Sequence, residues 1–106
     1  MTEENTQSPE KLEATVLEFI ARGEEQKKPR MRWAIIMELC EKRCRELRRE
    51  RKSSAEISEE SRILMQTLVT LFKNLLTDPP KITHDAASGA VGLTDEGRKM
   101  LAVYSQ

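Results

Sequence analysis

The chain is poor in most of the residues that signal a particular chemistry. Its 106 residues hold two cysteines, one histidine, four glycines, four prolines and one tryptophan, with 4% aromatics. The two cysteines do not make a secretory disulfide framework. Cys40 and Cys44 stand four apart in a helical pattern, where Cβ atoms lie ~5–6 Å from each other against the ~3.5–4.5 Å of a bridge, so no mutual disulfide is expected. Scarce glycine and proline exclude collagenous and low-complexity classes. No glycine-rich phosphate loop is present, and no apolar run approaches the ~18 residues of a membrane helix. No charged-then-apolar leader opens the sequence, so a cytoplasmic location is expected. The formal net charge is zero, which removes a global electrostatic footprint for nucleic acid and leaves only local segments.

What is abundant is charge and aliphatic surface. Hydrophobic residues make up 38% and charged residues 34%, the balance of a charge-coated helical domain. The length suits one compact domain, expected over residues 8–106 behind a disordered tail of residues 1–7. The charge is segregated: residues 1–25 carry seven acids against two bases, whereas residues 42–52 carry seven bases against two acids.

The organising stretch is Ile63 to Leu76, in which nine of fourteen residues are large and apolar. Wound as a helix, it leaves only a narrow polar strip of Gln66, Thr70, Lys73, Asn74 and Thr77, so most of its circumference needs cover. It is expected to be an internal pillar packed between the other helices. If they are too few to surround it, a symmetric dimer would hide the remainder.

The other elements fall in place around it. Ser8-Pro9-Glu10 predicts the start of a first helix whose face is Leu12, Val16, Phe19 and Ile20, with Gly23 as its stop. A long second helix is predicted from about Arg30 to Arg51, with Trp33, Ile36, Met37, Cys40, Cys44 and Leu47 as its apolar stripe. Ser53 or Ser54 breaks that pattern, and Ser58-Glu59-Glu60 caps the apolar helix, which Asp78-Pro79-Pro80 ends. Lys81–His84 and Ala90–Leu93 are compatible with a small hairpin, after which Thr94 caps a final helix packed through Met100, Leu101, Val103 and Tyr104. The expected class is mainly α: three to four helices with a short β-hairpin near 81–93.

Candidate chemistry is sparse. Cys40, Cys44 and His84 would give three zinc ligands where structural zinc takes four, and cysteines on an apolar helical face usually serve as small core residues. His84, Asp85 and Ser88 lie in one loop, whereas triads are assembled from distant segments; a polar turn explains them. No catalytic residue, metal or cofactor is expected. The remaining lead is EKRCRELRRERK, which on a helix sets Arg45, Arg48, Arg49 and Lys52 on one side at i, i+3, i+4 and i+7. Such a comb suits phosphates, unless it is a solvated helix end whose pairs with Glu41 and Glu46 neutralise it.

The order LVTLFKNLL, KITHDAASGAVG, GLTDEGRKML resembles the recognition helix, wing and following helix of winged-helix regulators of the MarR and PadR type, over residues 62–101. The matching residues are Leu93, Thr94, Gly97, Arg98 and Leu101. The resemblance implies a nucleic-acid-binding regulator, with Lys81 on the wing joining Arg45, Arg48, Arg49 and Lys52 on phosphate. Against that stand the acids Glu59 and Glu60 at the head of the apolar helix, which would repel phosphate. The favoured expectation is therefore a small, non-catalytic protein-interaction or regulatory module, with a homodimer as an option and nucleic acid as the alternative partner.

Overall fold

A computed structural model describes residues 9–106, so the expected tail and the Ser8 cap lie outside the described residues. Four helices and three short strands follow in the order α1 (Pro9–Glu25), β1 (Arg30–Met31), α2 (Arg32–Arg49), α3 (Ser54–Leu75), β2 (Ile82–His84), β3 (Ala90–Leu93) and α4 (Asp95–Tyr104). The antiparallel sheet runs β1-β3-β2. The expected mainly helical domain with a hairpin is what forms, with one strand more than the sequence announced.

That extra strand comes from the predicted head of the second helix. Arg30 and Met31 pair with Val91 and Ala90 of β3. Where this two-residue strand runs out, the Glu24 carboxylate continues the ladder by accepting the Leu93 N–H at 3.1 Å. The first helix accordingly runs past Gly23, which is buried against Arg30 and the Lys28 carbonyl rather than ending the helix. In the hairpin, Asp85 accepts from the Ala87 N–H and the Ser88 hydroxyl, and Gly89 supplies the positive φ that closes the turn.

The core lies where α1, α2, α3 and the inner face of the sheet meet, and includes Val16, Leu17, Ile20, Ile35, Ile36, Leu68, Phe72, Leu75 and Ile82. Two expectations about its edges need correction. On α2 the inward residues are Ile35, Ile36, Leu39, Cys40 and Leu47, while Trp33 is 58% exposed and Met37 38%. The helix turns Ile35 and Leu39 inward in place of Trp33 and Met37, and Arg43, four residues on from Leu39, is satisfied there by acids, as described below. On α3 only one side is sheltered: Leu68, Phe72 and Leu75 are buried, Leu64, Met65 and Leu71 are half-covered, and Ile63, Val69 and Leu76 are open. The helix is a wall of the core rather than its central pillar.

The helix ends are set by capping. The apolar helix starts a turn earlier than Ser58, at a capping box in which Ser53 accepts from the Glu56 N–H and Glu56 accepts from the Ser53 N–H. Those hydrogen bonds hold the Glu56 carboxyl below its ordinary range. At the other join, α2 closes with Arg51 in the left-handed region, the Lys52 N–H reaching the Leu47 carbonyl and the Arg51 N–H that of Arg48. This turn takes Lys52 off the helix.

At the far side α4 docks on α1, where the Tyr104 hydroxyl donates to Glu13 at 3.0 Å. Burial, reinforced by the bond to Glu13 and the charge of that carboxylate, pushes the phenol up to about 12. The folded value lies above the ordinary ~10, so this contribution to stability is fully present below about pH 10 and is lost as pH rises through about 12. Tyr104 is the only tyrosine. A tyrosinate absorbance titration should therefore give one late midpoint that Glu13→Gln moves towards the ordinary value; an ordinary midpoint in the folded native protein contradicts the α1–α4 contact.

Candidate docking surface on the α2–α3 hairpin

The surface worth attention is built by the long hairpin of α2 and α3, and its electrostatics turn on one arginine. Arg43, whose side chain is only 11% exposed, donates to Glu46 at 3.1 Å and across the hairpin to Glu60 at 3.3 Å, with the Glu50 carboxylate 3.8 Å away. Burial alone would lower its pKa; the three carboxylates outweigh that and raise it. The cluster ties α2 to α3 through Glu60 and engages Glu46 and Glu50. Arg43→Met, which leaves three carboxylates facing one another, should cost roughly 1–3 kcal/mol. Measured by urea unfolding, that loss should shrink in an Arg43→Met/Glu60→Gln double variant; strict additivity would deny the coupling.

With Glu46 committed to Arg43, the alternative of neutralising pairs on the basic comb does not form. Among the described residues, Arg45, Arg48 and Arg49 are exposed and enter no ion pair, although Glu41 stands at the right spacing for Arg45. Lys52 lies beyond the end of α2 and contributes to the charge felt by Glu56. Lys81 is elsewhere: its N–H donates to the Leu75 carbonyl at 2.7 Å, at the end of α3 opposite the comb. Twenty-two residues of helix separate the two ends, roughly 33 Å at 1.5 Å per residue. The structure thus gathers Arg45, Arg48 and Arg49, loosens Lys52 from them and detaches Lys81.

Beside the arginines runs an apolar strip that begins at core residue Cys40 and comes out to the surface at Met37 and Cys44. Met37, Cys40, Cys44 and Met65 border an open groove of about 440 Å³ between the two helices, with Glu41, Arg45, Arg48 and Ser61 also on its margin. Trp33 lies four residues before Met37 on α2, and Val69 four after Met65 on α3, so both prolong the same flank. Cys40 and Cys44 are free thiols. Burial, with the neighbouring Cys44, pushes the Cys40 thiol up, which keeps it a neutral part of the apolar floor. A second groove, of about 390 Å³, opens on the other flank of α3 among Leu12, Ile63, Gln66, Thr67, Thr70, Leu71 and Asn74 and carries no charge.

The other sequence candidates have structural employment. Ser88 donates to Asp85 rather than towards His84, and among the described residues no cluster of three His, Cys, Asp or Glu side chains could hold a metal. The string Leu93, Thr94, Gly97, Arg98, Leu101 is a docking device for α4. Thr94 caps α4 by accepting from the Gly97 N–H and donates to the Pro80 carbonyl, Arg98 pairs with Glu24 and Leu101 packs on the core. Among the described residues no helix is long and apolar enough to cross a membrane. Comparison with protein-family models, with curated proteins and with solved structures found no match.

Proposed function

We propose that the chain is a non-catalytic protein-interaction module that docks a partner through the exposed flank of the α2–α3 hairpin. One observation carries this: apolar side chains that a self-sufficient domain would bury, Trp33, Met37 and Val69, run along the hairpin beside half-covered Met65 and into arginines left without counter-charges. Large apolar residues rimmed by charge are the composition of an interface, with an aromatic and arginines as its anchoring types. The Arg43 cluster supports it too, because a cross-link from α2 to Glu60 of α3 holds the two helices together before a partner arrives and so lowers the ordering cost of binding. Trp33→Ala and Met37→Ala should leave the circular dichroism of the free chain unchanged while abolishing retention of a bound protein partner. Retention unaffected by both changes rejects the surface.

A second reading, a nucleic-acid binder of winged-helix type, draws on the same unpaired Arg45, Arg48 and Arg49 and on the order of apolar helix, hairpin and helix. The detachment of Lys81 and the carboxylates of Glu56 and Glu59 on the first turns of α3 count against a continuous phosphate-tracking face. Binding of a mixed-sequence DNA duplex at two salt concentrations discriminates the two. The nucleic-acid reading requires a steep fall in affinity with salt that flattens in Arg48→Ala/Arg49→Ala, and the interaction-module reading requires no such binding.

A further inference from the structure

We infer that the groove between α2 and α3 is the seat of an acidic amphipathic protein segment, one that sets a bulky apolar side chain on the floor and carboxylates on Arg45 and Arg48. The inference deepens the docking proposal and rests on it; what it adds is the chemistry of the partner. Three features of the groove specify that chemistry. The floor of Met37, Cys40, Cys44 and Met65 is uncharged and deformable, since thioethers repack around anchors of differing shape. At about 440 Å³ it has room for large aliphatic or aromatic side chains. The margin carries Arg45 and Arg48, which no carboxylate of this chain engages among the described residues, against the single acid Glu41.

Charge complementarity therefore asks the occupant for acid beside its apolar anchor. An arginine freed of internal partners forms its two parallel hydrogen bonds with an incoming carboxylate at no cost in broken ion pairs. Single-stranded nucleic acid matches the groove less well, because its bases would need an aromatic platform among the cations, and Trp33 stands fifteen residues of helix from Arg48, roughly 22 Å; a duplex would leave the apolar floor of the groove unfilled. An amphipathic helix laid along the hairpin meets floor and margin together, its apolar face inward and its acidic flank over the arginines.

The test is selection from a random display library of peptides, roughly 16 residues long so that a helix can form, on the intact chain and on Arg45→Glu/Arg48→Glu. Both arginines are exposed and unpaired, so the variant should fold with an unchanged far-ultraviolet spectrum. Clones from the native chain should combine Asp or Glu with Leu, Phe or Trp at helical spacing. The corresponding synthetic peptides should bind Arg45→Glu/Arg48→Glu roughly tenfold or more weakly, and Arg45→Lys/Arg48→Lys should restore much of the loss. Enrichment of apolar clones without acid, bound equally by both proteins, overturns the inference while leaving the docking proposal standing. Duplex DNA binding with steep salt dependence and no enriched peptide overturns both. A concentration-dependent dimer that excludes the selected peptides assigns the groove to a second copy and also overturns the inference.

Discussion

Phe72→Ala is expected to remove about 3–5 kcal/mol of stability, a large part of the ~5–15 kcal/mol that holds a domain of this size together. Phe72 is fully buried between Leu68 and Leu75 on the sheltered side of α3, where that helix closes the core against α1, α2 and the sheet. Truncation leaves a void that the surrounding aliphatics fill only in part, and each lost kcal/mol lowers Tm by roughly 4–8 °C in a 60–100-residue domain. Val69 is the control. It lies three residues away on the same helix but is open to solvent, so Val69→Ala should change stability by no more than about 0.5 kcal/mol. Urea unfolding of the two variants, followed by circular dichroism, measures the one-sidedness of α3 directly. Similar losses at both positions would mean that α3 is sheltered all round in the free chain.

Gly97→Ala should destabilise by about 3 kcal/mol, the upper end of the usual cost of overpacking, because the atom in the way is main chain. The change places a better helix former inside α4, which by propensity alone would gain about 1 kcal/mol. Yet a Cβ at this position runs into the carbonyl oxygen of Lys81 and approaches Leu93 Cδ2 at 3.2 Å. The Lys81 carbonyl cannot retreat freely, since it accepts the Thr94 N–H at 3.1 Å, and Thr94 caps α4 while donating to Pro80. Relief therefore means lifting the first turn of α4 away from the start of β2. Hydrogen exchange of the Thr94 and Gly97 amides should accelerate along with the fall in Tm. A neutral or stabilising Gly97→Ala would show that α4 does not sit against Lys81.

Both effects bear on what a one-dimensional pattern can carry. The hairpin near 81–93 and the Thr94 cap were legible because turn residues and a capping hydroxyl act within a few positions of themselves. β1 was not: Arg30-Met31 has no alternation to detect and becomes a strand only because β3, sixty residues on, offers an edge. Helical spacing marked the exposed polar strip of α3, Gln66, Thr70, Lys73, Asn74 and Thr77, but not how much of the remaining circumference neighbours would cover. Nine large apolar residues in fourteen suggested cover over most of the circumference, whereas its neighbours shelter only one side. On α2 a competing stripe of Ile35 and Leu39 was disguised by Arg43, a charge on the inward face that is tolerable only because Glu46, Glu50 and Glu60 converge on it.

The candidate site shows the same division. The basic comb could be seen as a run of residues, and its helical spacing was right for Arg45, Arg48 and Arg49. That these arginines are free depended in part on a competition for carboxylates that spacing alone does not decide, since Glu46 stands three residues from Arg49 just as it does from Arg43. The separation of Lys81 from the comb needed the length of α3 and the side on which the hairpin folds back. Exposed Trp33 and Met37 went unnoticed because an apolar residue at helical spacing is most often core. The signal available was that two apolar stripes could not both face inward on one helix.

Trp33 is the only tryptophan, which makes the open flank of the hairpin directly observable. Acrylamide quenching of its fluorescence in the isolated chain, followed from nanomolar to micromolar protein, tests whether that flank is exposed. Ready quenching, well above that of a buried indole and constant across the range, is the predicted result for a Trp33 that is 58% exposed. A shielded Trp33 with blue-shifted emission, already present at the lowest concentration, would show that the flank is folded into the molecule and is no docking surface.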